Sequence, residues 1–185
     1  MGTPVGREAW QDLIQRFVAQ RRRLLAACEN EEATSPNPGA TESQLLMAER
    51  RLGRPLDPQY RELLSVADGW DYFYLFFSLL GTAELGAGSR WESASESAEI
   101  WFEDAEWGEE IGGPDDGSVY QPLVVSDNGY SSTAFLLAGA ADRLPAGAVI
   151  PLPPESTYPD LYSYLANELD EIIRHATYTD SEGAG

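Results

Sequence analysis

The chain has 185 residues, of which 43% are hydrophobic and 11% aromatic, enough apolar matter for one packed domain and too much for wholesale disorder. It carries 31 Asp and Glu against 12 basic residues, all of them Arg, for a formal net charge of −19; such a field repels nucleic acid and anionic membrane and draws a basic partner, although plain solubility accounts for it equally well. A single cysteine, Cys28, excludes an internal disulfide, and without an apolar leader or an apolar run of membrane-spanning length the chain reads as cytoplasmic.

Residues 7–29 have the spacing of an amphipathic helix, with Trp10, Leu13, Ile14, Phe17, Leu24, Leu25 and Cys28 on one stripe. Arg21, Arg22 and Arg23 interrupt it and are expected to pair with the chain's own acids. Residues 30–40, with two prolines and a glycine, read as a linker. Thr41 and Gln44 have capping-box spacing for a second helix whose apolar face is Leu45, Leu46, Ala48 and Leu52, and Gly53 is placed to end it. Asp57 and Pro58 open a third helix with Tyr60, Leu63, Leu64 and Val66 inward, and Asp68-Gly69 closes it in a turn.

The nearly continuous apolar run over 71–80 predicts one strand covered on both sides. Residues 122–126 and 131–138 predict two more strands about the hairpin-like Asp127-Asn128-Gly129, and 147–152 a further one. A last helix is expected from Pro159 to His175, with Leu161, Leu165, Leu169, Ile172 and Ile173 inward and a frayed tail after Tyr178.

The stretch from Glu42 to Leu85 carries a more specific pattern. A helix holding Glu49 is followed by Leu52-Gly53, then Leu56, Tyr60 and Leu63-Leu64, then Gly69 and an apolar strand leading to Glu84-Leu85. This resembles the SUKH superfamily, which includes fungal cell-wall-assembly regulators of Smi/Knr type and many bacterial immunity proteins. The family's usual Leu-Pro before the Tyr-bearing helix is here Leu56-Asp57-Pro58, a local departure that keeps the register of Tyr60. The resemblance implies a single α+β domain of helices on a mostly antiparallel or mixed sheet, divided as an N-terminal helix and linker over 1–40, a SUKH-like domain over 41–177 and a flexible tail over 178–185. It also implies a non-enzymatic immunity protein that binds a basic bacterial toxin, with a nuclease as a natural target. A regulatory or scaffold module with an endogenous partner is the alternative.

The residues offer little for catalysis. His175 is the sole histidine and sits near a helix C-terminus, where a positive ring is favourable, and Cys28 falls on an apolar stripe. No Cys/His cluster suggests zinc, Asp115-Asp116-Gly117 lacks the spaced ligands of a calcium loop, and no phosphate or dinucleotide fingerprint occurs. No enzyme activity, metal or cofactor is therefore expected, and an acid-dependent hydrolase ranks last.

The acidic and aromatic segment after residue 86 is the candidate partner surface. Its proposed contacts are Trp91, Trp101, Glu103, Asp104, Glu106, Trp107, Glu109 and Glu110: carboxylates to meet Arg and Lys on a partner, and indoles as desolvated anchors. The competing reading places the tryptophans on the sheet and makes Glu92, Glu96, Glu99 and Glu103 the wet face of a short helix with Ile100 beneath.

Overall fold

The computed structural model describes residues 3–25, 34–74, 76–102, 119–126, 134–140, 143–152 and 156–182, with backbone alone for Phe102 and residues 175–182. The described elements are α1 (Arg7–Leu25), α2 (Glu42–Leu52), α3 (Pro58–Val66), β1 (Trp70–Tyr74), β2 (Phe77–Leu79), α4 (Ser89–Phe102), β3 (Tyr120–Ser126), β4 (Ala134–Leu137), β5 (Val149–Pro151) and α5 (Leu161–Glu182). The strands form one antiparallel sheet in sequence order, a meander with helices packed on it, so the chain is a single α+β domain.

The caps fall where their chemistry predicts. Thr41 and Gln44 exchange the reciprocal bonds of a capping box, Gly53 ends α2 in the left-handed region at φ 68°, and Asp57 accepts from the Gln59 N–H with Pro58 opening α3. Leu45, Ala48 and Leu52 form the inner stripe of α2. Leu46, expected inward, is 41% exposed because it lies one residue, about 100° of helix, off that stripe. The last helix continues past the expected His175 to Glu182, while Cys28 and the Asp127-Asn128-Gly129 turn lie outside the described residues.

Residues 71–80 depart most from expectation. They form a hairpin, with Trp70 opposite Leu79 and Tyr74 opposite Phe77. A bulge interrupts the ladder between those pairs. There Tyr72 adopts a left-handed φ of 51°, and its N–H goes to Ser78 Oγ at 3.0 Å. No Gly, Pro or Asn marks the reversal, so local turn chemistry could not announce it. Asp71, Tyr72 and Phe76 are exposed. The strands with both faces covered are instead β3 and β4. Along β4, Ala134 and Leu136 enter the main core while Phe135 and Leu137 enter a second cluster with Tyr120, Ala148 and Ile150.

Helix α1 belongs to the main core rather than to a separate unit. Trp10, Leu13, Ile14 and Phe17 are buried against α3, α5 and β1. Trp10 meets the edge of Tyr162 at 5.1 Å, and Phe17 lies edge-on to Trp70 and Phe73. One carboxylate oxygen of Glu62 on α3 accepts from Val5 N, Gly6 N and Trp10 Nε1 at 3.0, 3.3 and 3.1 Å, fixing the start of α1. The end of the expected linker is docked as well. The Ala40 and Asn37 N–H groups donate to Leu64 and Gly69 carbonyls, and a Cβ on Gly39 would lie 2.1 Å from Ser65 O.

Two measurements test this packing. Four buried side chains at ~1.5–3 kcal/mol each are worth roughly 6–12 kcal/mol, comparable with the whole stability of a domain. A chain beginning at Thr41 should therefore show no cooperative urea transition, and a sharp one would mean that the remainder folds by itself. Tyr60 is fully buried and donates its hydroxyl to Leu80 O at 2.8 Å; Tyr60→Phe strands that carbonyl and should lower the unfolding free energy by about 1–3 kcal/mol in chemical denaturation.

Candidate functional site

The charge is segregated along the chain. Residues 1–66 hold nine acids and nine arginines, whereas residues 67–185 hold 22 acids and three arginines, so the net charge of −19 arises wholly in the second part. Several charges of the neutral first part are engaged within the fold. Arg61 Nε meets Glu49 at 3.3 Å and its other arm meets Glu42, while Arg51 donates to the Thr82 and Leu85 carbonyls. Arg16 stands 3.9 Å from Asp12 on α1.

Helix α4 carries three of the second part's acids, Glu92, Glu96 and Glu99. Ala94 and Ala98 are buried, and half-buried Trp91 and Trp101 bracket them on the same stripe. Trp91 and Ala94 pack on the main core, Ala98 and Trp101 on the second cluster, so α4 ties the two together and lies on β3. Small residues between two indoles let the helix axis approach the sheet closely. The outward side carries Glu92, Glu96 and Glu99 at i, i+4 and i+7, all exposed, and none pairs with a described residue. Ile100, expected beneath this row, stands beside it at 75% exposure because the inner positions are filled by Ala and Trp.

Of the predicted contact residues, Trp91 and Trp101 are therefore part of the packing, each half-buried. Glu103, Asp104, Glu106, Trp107, Glu109 and Glu110 lie outside the described residues, and so do Asp115-Asp116-Gly117.

At the start of α4 lies a cleft of about 570 Å³ between the segment around Asn37 and Thr41, the turn after α3 and the loop after β2. Three carboxylates line it. Asp68 accepts from Thr82 N at 2.6 Å and Thr82 Oγ1 at 2.7 Å; Glu84 accepts from Gly81 N at 3.2 Å; and Arg90 bridges Glu84 and Asp71 at 3.1 and 2.6 Å. These bonds fasten the loop rather than poise a reacting group. Arg90 is the one arginine in the lining, so the cleft's formal charge is −2 and it continues the acidic character of α4.

A second carboxyl environment is of another kind. Glu168 of α5 borders a cavity of about 160 Å³ walled by Phe73, Phe77, Val124, Leu152 and Tyr164. Burial, and then the charge of Glu171, pushes its carboxyl up to about 7. Burial and Glu168 likewise push the Tyr164 hydroxyl well up. The lining contains no Ser, Cys, His or Lys, and among the described residues no three metal-ligating side chains converge. Among the described residues no helix is long and apolar enough to cross a membrane.

No family model matches the chain, and none of the curated proteins does. The sequence reading missed the division of charge at residue 66, although a running count of acids and arginines displays it. It also missed Arg54 and Gln121, whose signal was a polar residue in the apolar strand Tyr120–Ser126.

Glu168 generates a pH prediction. Its folded carboxyl keeps a proton that the unfolded chain has lost, so its contribution is fully present below about 4.5 and is lost as pH rises through about 7. Glu168→Gln should flatten that part of the stability profile and, at a pH above 7, exceed the parent in unfolding free energy by ~1–3 kcal/mol. Urea midpoints measured on both sides of the window check this; parallel profiles would show that the carboxyl is not held protonated.

Proposed function

We propose that this chain is a non-enzymatic protein-binding domain whose acidic side engages a basic protein, and that the partner is a cognate bacterial toxin which it neutralises as an immunity protein of SUKH type. The observation that carries the binding reading is the division of charge: a first part with no net charge, and a second part holding all of the −19 and displaying Glu92, Glu96 and Glu99 in an exposed row. A net charge of this size, with an exposed acidic row, accelerates encounter with a cationic surface. Beside the row, Ile100 is 75% exposed and Trp91 and Trp101 are half-buried, which offers apolar area for a contact that outlasts the encounter. The acidic stretch from Glu103 to Glu110 follows α4 directly in sequence.

The toxin assignment rests on the resemblance carried by Glu49, Leu52-Gly53, Leu56, Tyr60, Leu63-Leu64, Gly69 and Glu84-Leu85. A nuclease fits the electrostatics, because carboxylates can occupy a cleft built for phosphate.

Co-expression with the protein encoded next to this chain tests the reading. The two should co-purify at low salt, and the neighbour's toxicity should be suppressed. Changing Glu92, Glu96 and Glu99 together to Gln should slow association roughly three- to tenfold at low ionic strength and flatten its salt dependence, with a smaller effect on dissociation. Persistent toxicity with no complex at low salt would defeat the immunity reading. Association unaffected by the triple change would remove α4 from the interface.

A further inference from the structure

The connection between α2 and α3 roofs a cavity of about 250 Å³ at the end of the sheet. Arg54, Leu56 and Asp57 line it from the connection, Gln121 and Leu136 from the sheet, and Ala146 from the turn before β5. Gln121 pairs across the ladder with Leu136, and Leu136 with Val149, so the three form one row on the face turned to the helices. Gln121 is the polar member of that row and is only 2% exposed, yet its side-chain Nε2 has no hydrogen-bond partner. Across the cavity Arg54 Nε is also buried and without a partner, and its guanidinium forms no ion pair with a described residue. Burial alone holds that guanidinium below its ordinary value.

Two buried donors left open at one cavity run against the general rule that interior polar groups are satisfied. A leucine at 121 would complete the apolar row, and an arginine serving only solubility would sit in water. Both groups are accounted for if something that accepts hydrogen bonds enters between them. A planar guanidinium edge suits a carboxylate, and an amide N–H beside it can take the second oxygen. The remaining walls, formed by Leu56, Leu136 and Ala146 among others, suit a short hydrocarbon. The volume lies below the ~300–1,000 Å³ of drug-sized sites. Asp57 lies on the same lining, accepts the Gln59 N–H at 2.9 Å and offsets the charge of Arg54, so one bound carboxylate brings the lining to a formal −1 and a second anionic group is excluded.

From this geometry we infer a binding site for a small aliphatic monocarboxylate, its carboxylate held by Arg54 and Gln121 and its hydrocarbon against the leucines. The inference is independent of the toxin reading, since neither residue belongs to α4 or to its acidic row.

Titration of the full chain with 4-methylpentanoate, followed by amide and Arg Nε–H resonances in NMR, tests it. The Arg54 Nε–H and Gln121 side-chain signals should shift saturably, and the uncharged 4-methylpentanamide should bind at least tenfold more weakly. Arg54→Gln and Gln121→Leu should each weaken the acid at least tenfold, whereas Arg50→Gln, an exposed change near the end of α2, should not. Retained amide dispersion in the variants separates loss of the site from loss of the fold. Absence of saturable shifts at Arg54 and Gln121 in the parent chain, equal binding of acid and amide, or undiminished binding by Arg54→Gln would each overturn the assignment.

Discussion

The arrangement depends on how the chain leaves β2. β2 ends at Leu79, the Leu80 N–H makes one more bond to Leu123 O of β3, and the carbonyls of Leu80, Thr82 and Leu85 take donors from elsewhere. The helices supply them: Tyr60 Oη reaches Leu80 O, and Arg51 reaches both Thr82 O and Leu85 O. From the other side Asp68 takes the Thr82 N–H and hydroxyl. The fit leaves no room for side chains, since a Cβ on Gly69 would stand 2.7 Å from Gly81 N and one on Gly81 2.5 Å from Asp68 O. Gly69 also needs its φ of 81°. This lock sets where α2 and α3 sit over the sheet, where the cleft opens, and where α4 can begin.

The charged groups of the first part are engaged in a similar way. Arg51 and Arg61 are engaged on carbonyls and on Glu42 and Glu49, while Glu62 is engaged on the start of α1. Several charges of the first part are therefore engaged, with one another or with the loop after β2. Helix α4 needs none of its acids for packing, because its inner stripe is Trp91, Ala94, Ala98 and Trp101. Glu92, Glu96 and Glu99 on one side of that helix repel one another, which works against the helix rather than for it. The indoles and the sheet offset that repulsion, so the outer row is a charge that the fold tolerates without requiring.

The sequence was most legible where a single side chain closes a local bond. The Thr41–Gln44 box, Gly53, Asp57-Pro58 and Gly69 were readable because their geometry involves neighbours within a few residues. It was least legible where the deciding partner is distant. Nothing within 71–80 indicates that Tyr72 will turn left-handed and give its N–H to Ser78, because apolar continuity in a strand and in a hairpin looks the same. Ile100 shows the same weakness on a helix: its apolar character suggested an inward position, but the stripe of two alanines and two tryptophans decides the facing. For the candidate surface the chemical types were legible, while the roles were not. Trp91 and Trp101 carry packing as well as any contact, and the open donors at Arg54 and Gln121 appear only once β3 and the α2–α3 connection are brought together.

A buried amide in an apolar row is a specific kind of irregularity. Gln121 lies opposite Leu136 in the most enclosed part of the sheet, where an unmade hydrogen bond carries its full desolvation cost of about 1–3 kcal/mol. Strain of the backbone does not explain it, since among the described residues the non-glycine one with a left-handed φ is Tyr72, in another strand. Nor does a need for register, because the bulge between Pro122 and Val124 already shifts the ladder beside it. With Arg54 open on the facing wall, the cost falls on two groups at one place. A cost shared by facing donors has a natural remedy in one acceptor that satisfies both. The sheet end beneath Arg54 is thus chemically unlike the α4 face: one is a small enclosed pair of donors, the other an open row of acceptors, and the fold keeps them on different elements.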